Sequence, residues 1–307
     1  MSETTNTRFR IDRELGRSSL ATVYLAFDDA TDRRVALKVY AKSPLAPNDA
    51  EALRRLHWST RLVAKLDDPL LPAVSALELD DEPPCVATRF VAGETLAARL
   101  ESAGSPAPDT VKVLRAVERA ARALHAAHEA GVVHGNVKPE NLVVTPAEKL
   151  VVLDLGLPSA GLAHESPFRS PEEREDGPAA IDRRSDVFAL AVALMAWLGG
   201  DPPLVDSKTS LRGELRARLP RSVRTEWPEL RHVFAAALAA RPEHRFPTAL
   251  AFADDLRRAH AGERVHGVRR VSWLARLREL MLGEPAVLAA SVLVVAMLAF
   301  VVNQLAD

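Results

Sequence analysis

Strand-like and helix-like segments occupy different parts of this chain, and their separation limits the fold more than any other feature. Three segments rich in β-branched and aromatic residues open the chain, and two shorter ones follow the first helical segment. After Gly93 the sequence pattern is mostly helical. Strands first and helices later predict an α+β protein with two lobes: a sheet-rich N-lobe at about residues 8–92 and a helical C-lobe at about residues 93–262.

Turn residues and the spacing of apolar residues place the individual elements in these lobes. The predicted strands are 9–15, 21–27, 34–40, 73–79 and 85–90. A further hairpin is predicted from the apolar runs 142–144 and 150–153. The predicted helices are 48–66, 110–130, 185–198 and 230–239.

Four short segments carry groups suited to phosphate chemistry. The sequence VALK ends at Lys38 on the third predicted strand, and HGNVKPEN, residues 134–141, follows the long helix. The sequence DLG begins at Asp154, directly after the hairpin, and SPE, residues 170–172, lies further on. Transfer of a phosphoryl group needs a cation on the phosphates, carboxylate and amide ligands for a metal, and a base for the hydroxyl. Each segment alone is a weak signal, but the four together, in this order and at these separations, are not expected by accident.

In this order and at these separations, the segments resemble those of the protein kinase family, and more closely those of bacterial Ser/Thr kinases with a cytoplasmic kinase domain ahead of a membrane helix. The resemblance covers about residues 8–260 and implies a bilobal protein-kinase fold that binds ATP and Mg²⁺. Two later segments extend it, DVFAL at 186–190 and RPEHR at 241–245. It implies that Asp186 braces the catalytic loop and that Arg245 pairs with Glu172.

The resemblance gives a role to each matching residue. Lys38 would hold the α- and β-phosphates, and Lys138 would contact the γ-phosphate. Asn141 and Asp154 would bind Mg²⁺. Thr88 would be the gatekeeper beside the adenine ring. The other nucleotide contacts that it implies are Gly16 and Ser18 in the phosphate loop, Val91 in the hinge at 89–91, and Val23, Ala36 and Val143 as apolar walls around the ring.

The sequence departs from the family pattern at the base. Asn136 stands where the family has the aspartate that accepts the substrate hydroxyl's proton. An amide can orient a hydroxyl but has no comparable basicity, and general-base catalysis is worth about 10²–10⁴-fold in rate. The chain is therefore interpreted as a pseudokinase that binds ATP and Mg²⁺ and acts as a signalling scaffold or regulator. The alternative is an active but slow Ser/Thr kinase acting on cytoplasmic proteins.

Three further departures affect the phosphate clamp and its control. Only Gly16 of three expected glycines is present, with Ser18 and Ala21 at the other two positions. Ser59 falls where the first long helix should present a glutamate to Lys38. Gly135 replaces the arginine that binds an activation-loop phosphate in many kinases, which argues against that mode of control.

The C-terminal segment predicts a membrane anchor. The 17 residues 286–302 carry no charge and only one polar side chain, Ser291, and this length lies at the lower limit for a transmembrane helix. Arginines are frequent in the juxtamembrane segment 263–285 and absent from the tail 303–307, which predicts a single-pass inner-membrane protein with its kinase-like domain in the cytoplasm. A buried C-terminal helix docked on the domain is the alternative. The expected partners are cytoplasmic or membrane signalling proteins.

Charge and cysteine content exclude other classes of partner and compartment. The formal net charge is -1, which gives no reason to expect nucleic acid as a partner. The single cysteine, Cys85, cannot form an internal disulfide and is predicted to be a buried structural residue in a reducing compartment. Residues 1–7 are polar and are predicted to be a disordered lead without a signal peptide.

Overall fold

The structure is a computed structural model, and it describes residues 8–18, 21–41, 50–79, 83–102, 109–157, 166–205 and 215–267. Residues 1–265 form one compact unit that contains both lobes. The predicted lead 1–7, the predicted membrane span 286–302 and the tail 303–307 lie outside the described residues. So does most of the predicted juxtamembrane segment.

The N-lobe is built on a five-stranded antiparallel sheet that carries a buried apolar cluster on each face. One face carries Phe9, Leu37 and Ala87 in an apolar cluster. The other face carries Tyr40 and packs against Leu56 of a helix. The strand order is β1-β2-β3-β5-β4, with β1 Phe9–Arg17, β2 Ala21–Asp28, β3 Arg33–Tyr40, β4 Val74–Glu78 and β5 Cys85–Arg89, and the helix is α1 Ala50–Leu66.

The C-lobe is helical around one buried helix. Helix α5, Arg183–Trp197, is apolar on nearly every side and is almost wholly buried, as expected for the centre of a helical lobe. A small antiparallel sheet, β6-β7-β8, lies on the side of this lobe that carries the candidate site. The other elements are β6 Glu94–Thr95, α2 Leu96–Glu101, α3 Thr110–Glu129, β7 Leu142–Val144, β8 Leu150–Val152, α4 Pro171–Asp176, α6 Leu215–Arg218, α7 Arg221–Glu226, α8 Leu230–Ala237 and α9 Ala249–His260.

The bilobal fold predicted from the sequence is confirmed, and the predicted strands and helices agree with the observed ones to within about two residues at each end. Cys85 is buried, as predicted. The sequence analysis missed α9, although Ala249, Phe252, Ala253 and Leu256 follow helical spacing and are buried. It also missed the shorter helices α2, α4, α6 and α7, which are too short to show a clear period.

No helix in the part of the chain that the structure describes is long and apolar enough to cross a membrane. The predicted span at 286–302 falls outside that part, so it stays a prediction.

Candidate active site

An ion pair between Lys38 and Asp154 lies at the centre of the candidate site. Lys38 Nζ lies 2.7 Å from Asp154 Oδ2, and the two side chains are only 14% and 26% exposed. Lys38 comes from β3 in the N-lobe, whereas Asp154 follows β8 in the C-lobe. Asp154 has a φ of 61°, a left-handed conformation that is uncommon outside glycine and that clusters at functional sites. The ion pair therefore joins the two lobes at the place where Lys38 is predicted to hold the phosphates and Asp154 is predicted to bind Mg²⁺.

The segment that ends at Asp154 is fastened to the loop 134–141. The Leu153 N–H donates to the backbone oxygen of Asn141 at 2.8 Å. The Leu153 oxygen lies 2.8 Å from Nε2 of His134. Because these bonds hold the residue next to Asp154, the predicted metal ligands Asn141 and Asp154 belong to one connected structure.

Asp186 of α5 braces the loop 134–141 through its carboxylate, as the resemblance implied. Its buried carboxylate accepts hydrogen bonds from the backbone N–H groups of His134 and Gly135, each at 2.8 Å. The ring of His128, at the end of α3, lies 2.8 Å from the same carboxylate through Nε2. Gly135 has a φ of 67°, which a glycine adopts without strain.

Asn136 sits in this braced loop and is only 6% exposed. Its backbone oxygen accepts a hydrogen bond from Nδ2 of Asn141 at 2.9 Å. Its side-chain oxygen Oδ1 is buried and has no hydrogen-bond partner among the described residues. That oxygen can accept a hydrogen bond from a hydroxyl, but the amide cannot take the proton.

A small cavity of about 10 Å³ adjoins Asn136, which is room for one water molecule. It is lined on the other side by Phe168, Ser170 and Glu173. The side chain of Lys138 is half-buried nearby and forms no hydrogen bond or ion pair with the residues that the structure describes. Its ammonium group is therefore not committed to a described partner.

A buried ion pair fixes the segment around Glu172. Arg245 donates to both carboxylate oxygens of Glu172, at 2.7 and 2.6 Å, and Ser185 donates to one of them at 2.6 Å. The guanidinium lies over the ring of Phe188, 4.8 Å from its centroid. Burial raises the pKa of Glu172, but the hydrogen bonds and charge of Arg245 outweigh burial and hold that pKa below its usual value. The pairing implied by the resemblance is present.

The predicted adenine walls lie on adjacent strands and at the start of the C-lobe. Ala36 on β3 pairs with Thr88 on β5, and Val23 on β2 pairs with Lys38. Val91 is half-buried just after β5. Val143 on β7 is 5% exposed and packs near Gly93, where an added Cβ would lie 2.5 Å from a backbone oxygen.

The phosphate loop is closed by Ser18. Gly16 on β1 pairs with Val23, so the two ends of the loop lie side by side. The Ser18 hydroxyl oxygen accepts a hydrogen bond from the Ala21 N–H at 3.1 Å. Ala21 is 4% exposed and packs into the cluster with Tyr40. Ser18 therefore stabilises the hairpin by its hydrogen bond, and Ala21 contributes to the apolar core.

Ser59 of α1, predicted to stand where a glutamate was expected, contacts the DLG segment. The Ser59 hydroxyl donates to the backbone oxygen of Leu56 at 2.9 Å and lies 3.2 Å from the backbone oxygen of Gly156. Glu51 is the one acidic residue in the α1 sequence and lies about two turns earlier. Serine thus faces the DLG segment, and Lys38 takes Asp154 as its ion-pair partner.

The family model described as the protein kinase domain matches residues 9–265. The chain belongs to the protein kinase family. This agrees with the order of its strands and helices and with the contacts among Lys38, Asp154, Asp186 and Asn141 described above.

Relatives of this kinase domain come from bacteria. The serine/threonine-protein kinase PknL of Mycobacterium tuberculosis is 32% identical over 267 residues, which cover 82% of this chain and 65% of PknL. The tyrosine-protein kinase MasK of Myxococcus xanthus is 32% identical over 277 residues, 80% of this chain and 42% of MasK. The chain thus spans less than two thirds of these relatives' length. The crystal structure of the M. tuberculosis PknI kinase domain is 29% identical, covers 84% of this chain and 99% of that domain, and has a TM-score of 0.66.

Three residues of this kinase site were missed by sequence reasoning. His128 contacts Asp186, Ser185 contacts Glu172, and the ring of Tyr40 lies beside Lys38. The first two depend on contacts between distant segments. Tyr40 had a signal in the sequence, because residues two apart on a strand point to the same face.

Proposed function

We propose that this kinase domain binds ATP with Mg²⁺, transfers phosphate very slowly or not at all, and acts as a scaffold or regulator of signalling proteins. The proposal is carried by Asn136, which hydrogen bonds hold in the loop 134–141 and which the resemblance matches to the family's base. The loop keeps its hydrogen bonds although the Asn136 amide cannot accept a proton. The domain would therefore bind nucleotide without transferring phosphate at an appreciable rate.

The residues around Asp154 fit a magnesium ion. Mg²⁺ prefers oxygen ligands and pairs with substrate phosphates. Asn141 uses its Nδ2 group to bond Asn136, which leaves its amide oxygen available as a ligand, and Asp154 keeps one oxygen outside its pair with Lys38. When bound, the ion would supply charge neutralisation for the phosphates.

Lys38 and Lys138 fit the phosphates themselves. The Lys38 ammonium is already held in the site by Asp154, so little side-chain freedom is lost when a phosphate replaces or joins that partner. Lys138 lies two residues from Asn136 and is not engaged by a described side chain. Two cations and two oxygen ligands would thus face the polyphosphate, and the apolar residues Val23, Ala36 and Val143 would face the adenine.

With Asn136 at this position, a substrate hydroxyl would be oriented by a hydrogen bond but would have no base to accept its proton. A substrate hydroxyl that donates to Oδ1 would be placed but would keep its proton until a solvent or phosphate oxygen took it. The lost base is worth about 10²–10⁴-fold in rate.

The second candidate function is slow Ser/Thr phosphorylation of cytoplasmic proteins. It is favoured by the buried oxygen Oδ1 of Asn136, which has no hydrogen-bond partner among the described residues, and by the relatives, which are named as serine/threonine- and tyrosine-protein kinases. The two candidates share the nucleotide site and differ only in the rate of transfer.

Binding and transfer are measured on the same sample of full-length chain in mild detergent. Mg-ATP is expected to stabilise the kinase domain, by about 2.7 kcal/mol at 100 times its Kd. Lys38→Met is expected to remove at least about half of this stabilisation, whereas Lys65→Met, an exposed lysine change on α1, is expected to leave it unchanged. Transfer from labelled ATP that Lys38→Met abolishes would favour the second candidate. No stabilisation at millimolar Mg-ATP would contradict nucleotide binding.

We also propose that residues 286–302 anchor this domain in the inner membrane, with the domain in the cytoplasm. The support is the uncharged run and the arginines on its N-terminal side. The full-length chain is expected to sediment with membranes and to be released when residues 286–307 are removed. Full-length chain that stays soluble would contradict the anchor and leave the docked-helix alternative.

A further inference from the structure

The side chain of Tyr40 lies between Lys38 and helix α1. Both residues are on β3, two positions apart, so both point to the face of the sheet that α1 covers. Tyr40 belongs to the apolar cluster with Ala21, Leu56 and Leu157. It is 1% exposed, which makes it one of the largest fully buried side chains of the described chain.

The ring of Tyr40 faces the Lys38 ammonium. Lys38 Nζ lies over the ring at 5.6 Å from the centroid, within the range of a cation–π interaction. Such an interaction is stronger when the cation is withdrawn from water, and the Lys38 side chain is only 14% exposed. The ammonium is therefore held by the carboxylate of Asp154 on one side and by an aromatic face on another.

The Tyr40 hydroxyl adds no negative charge beside the Lys38 ammonium. Burial raises the pKa of Tyr40, and the negative charge of Asp154 raises it further, so the phenol stays neutral. The hydroxyl oxygen is buried and has no hydrogen-bond partner among the described residues. What Tyr40 offers Lys38 is the face of the ring.

Among the α1 residues whose side chains the structure describes, none carries a carboxylate. Ser59 uses its hydroxyl on the backbone oxygens of Leu56 and Gly156, and Glu51 lies eight residues earlier, about 12 Å along the helix axis. In the part of the chain that the structure describes, Asp154 is the ion-pair partner of Lys38. The ring of Tyr40, and not a described side chain of α1, can therefore be the second group that restricts the position of the Lys38 ammonium.

We propose that Tyr40 is the positioning residue for Lys38, and that its ring holds the ammonium for the nucleotide phosphates without a carboxylate on α1. The inference rests on the proposed nucleotide binding and deepens it. It follows that the phosphate affinity of the site depends on Tyr40, whereas adenine recognition by Val23, Ala36 and Val143 does not.

The test compares ATP with adenosine, because the proposed nucleotide site brings Lys38 to the phosphates and not to the adenine. Calorimetry on the full-length chain, with Mg²⁺ and again in EDTA, measures both Kd values for wild type and for variants. Tyr40→Leu and Tyr40→Met remove the aromatic face, and both are expected to weaken ATP binding about tenfold in either buffer while changing adenosine binding less than about twofold. Tyr40→Phe keeps the ring and is expected to bind both ligands as the wild type does.

Phe9→Leu is the matched control. Phe9 is a buried aromatic residue on the other face of the same sheet, and Arg8 lies over its ring at 5.0 Å. It is expected to leave both affinities unchanged even if it lowers stability. Retention of full ATP affinity in Tyr40→Leu and Tyr40→Met would overturn the role of Tyr40, and so would an equal loss for ATP and adenosine. A wild type that binds neither ligand would overturn the nucleotide-binding function itself.

Discussion

Two regions of this kinase domain differ in how completely their polar groups are matched. In the loop brace, formed by Asp186 with His128 and by Glu172 with Arg245, each buried carboxylate has at least two close partners, although Nδ1 of His128 has none among the described residues. In the transfer site, formed by Lys38, Asn136, Asn141 and Asp154, Asn136 has an unpartnered buried oxygen among the described residues, and Lys38 has only Asp154 as its described ion partner. The contrast supports the proposal that the structural supports of the site are in place while the residue at the base position cannot accept a proton.

Removal of Arg245 tests the brace and has the largest expected effect. Arg245→Ala leaves the carboxylate of Glu172 buried without its cation, and breaking a buried pair in this way costs about 3–5 kcal/mol. Urea unfolding measures the loss. Arg257→Ala removes an exposed pair with Glu263 and is expected to cost less than about 1 kcal/mol. Equal small losses in the two variants would show that the brace does not stabilise the fold.

Removal of Lys38 tests the transfer site. Lys38→Met is expected to weaken ATP binding by about 10–100-fold, because hydrogen bonds to charged groups contribute about 1.5–3 kcal/mol each. The unfolding free energy is expected to fall much less than in Arg245→Ala, since the pair with Asp154 is partly exposed. A larger loss of stability than in Arg245→Ala would reverse the comparison between the two regions.

The N-lobe contains a matched pair whose effect depends on pH. The Arg8 guanidinium hydrogen-bonds to Asp28 and lowers the pKa of that carboxyl from 3.8 to about 2. Because the folded pKa lies below the unfolded one, the stabilisation is present above about pH 4 and is lost as the pH falls through about 2, a change of roughly 2 kcal/mol. The stability gap between wild type and Asp28→Asn is expected to close over that range. A gap that stays constant from pH 5 to pH 2 would exclude a role for this charge.

Tyr40→Phe has the smallest expected effect. The hydroxyl that it removes is buried and has no described partner, so its loss removes an unpaired polar group from the core. The unfolding free energy is expected to stay the same or to rise by up to about 1 kcal/mol. A clear loss of stability in thermal unfolding would show that the hydroxyl has a partner that the structure does not describe.

The sequence predicted the contacts of Asp186 and Arg245 better than those of Lys38. The pairing of Arg245 with Glu172 and the bracing role of Asp186 followed from a resemblance that extends over most of the chain. The partner of Lys38 did not, because the glutamate expected on α1 is Ser59, and which carboxylate replaces it depends on a contact between residues 116 positions apart. The buried hydroxyl of Tyr40 was also beyond prediction, since burial and partners are properties of the packed chain.

The central claim is that the site is assembled for nucleotide but lacks its base, and Asn136→Asp tests it most directly. The rate of phosphate transfer from labelled Mg-ATP to a generic protein substrate is measured for the wild type and for this variant. An aspartate at this position restores a proton acceptor in a loop that is already braced, so the rate is expected to rise by about 10²–10⁴-fold with little change in Kd for ATP. An equal rate for the two proteins, with ATP bound by both, would contradict the claim.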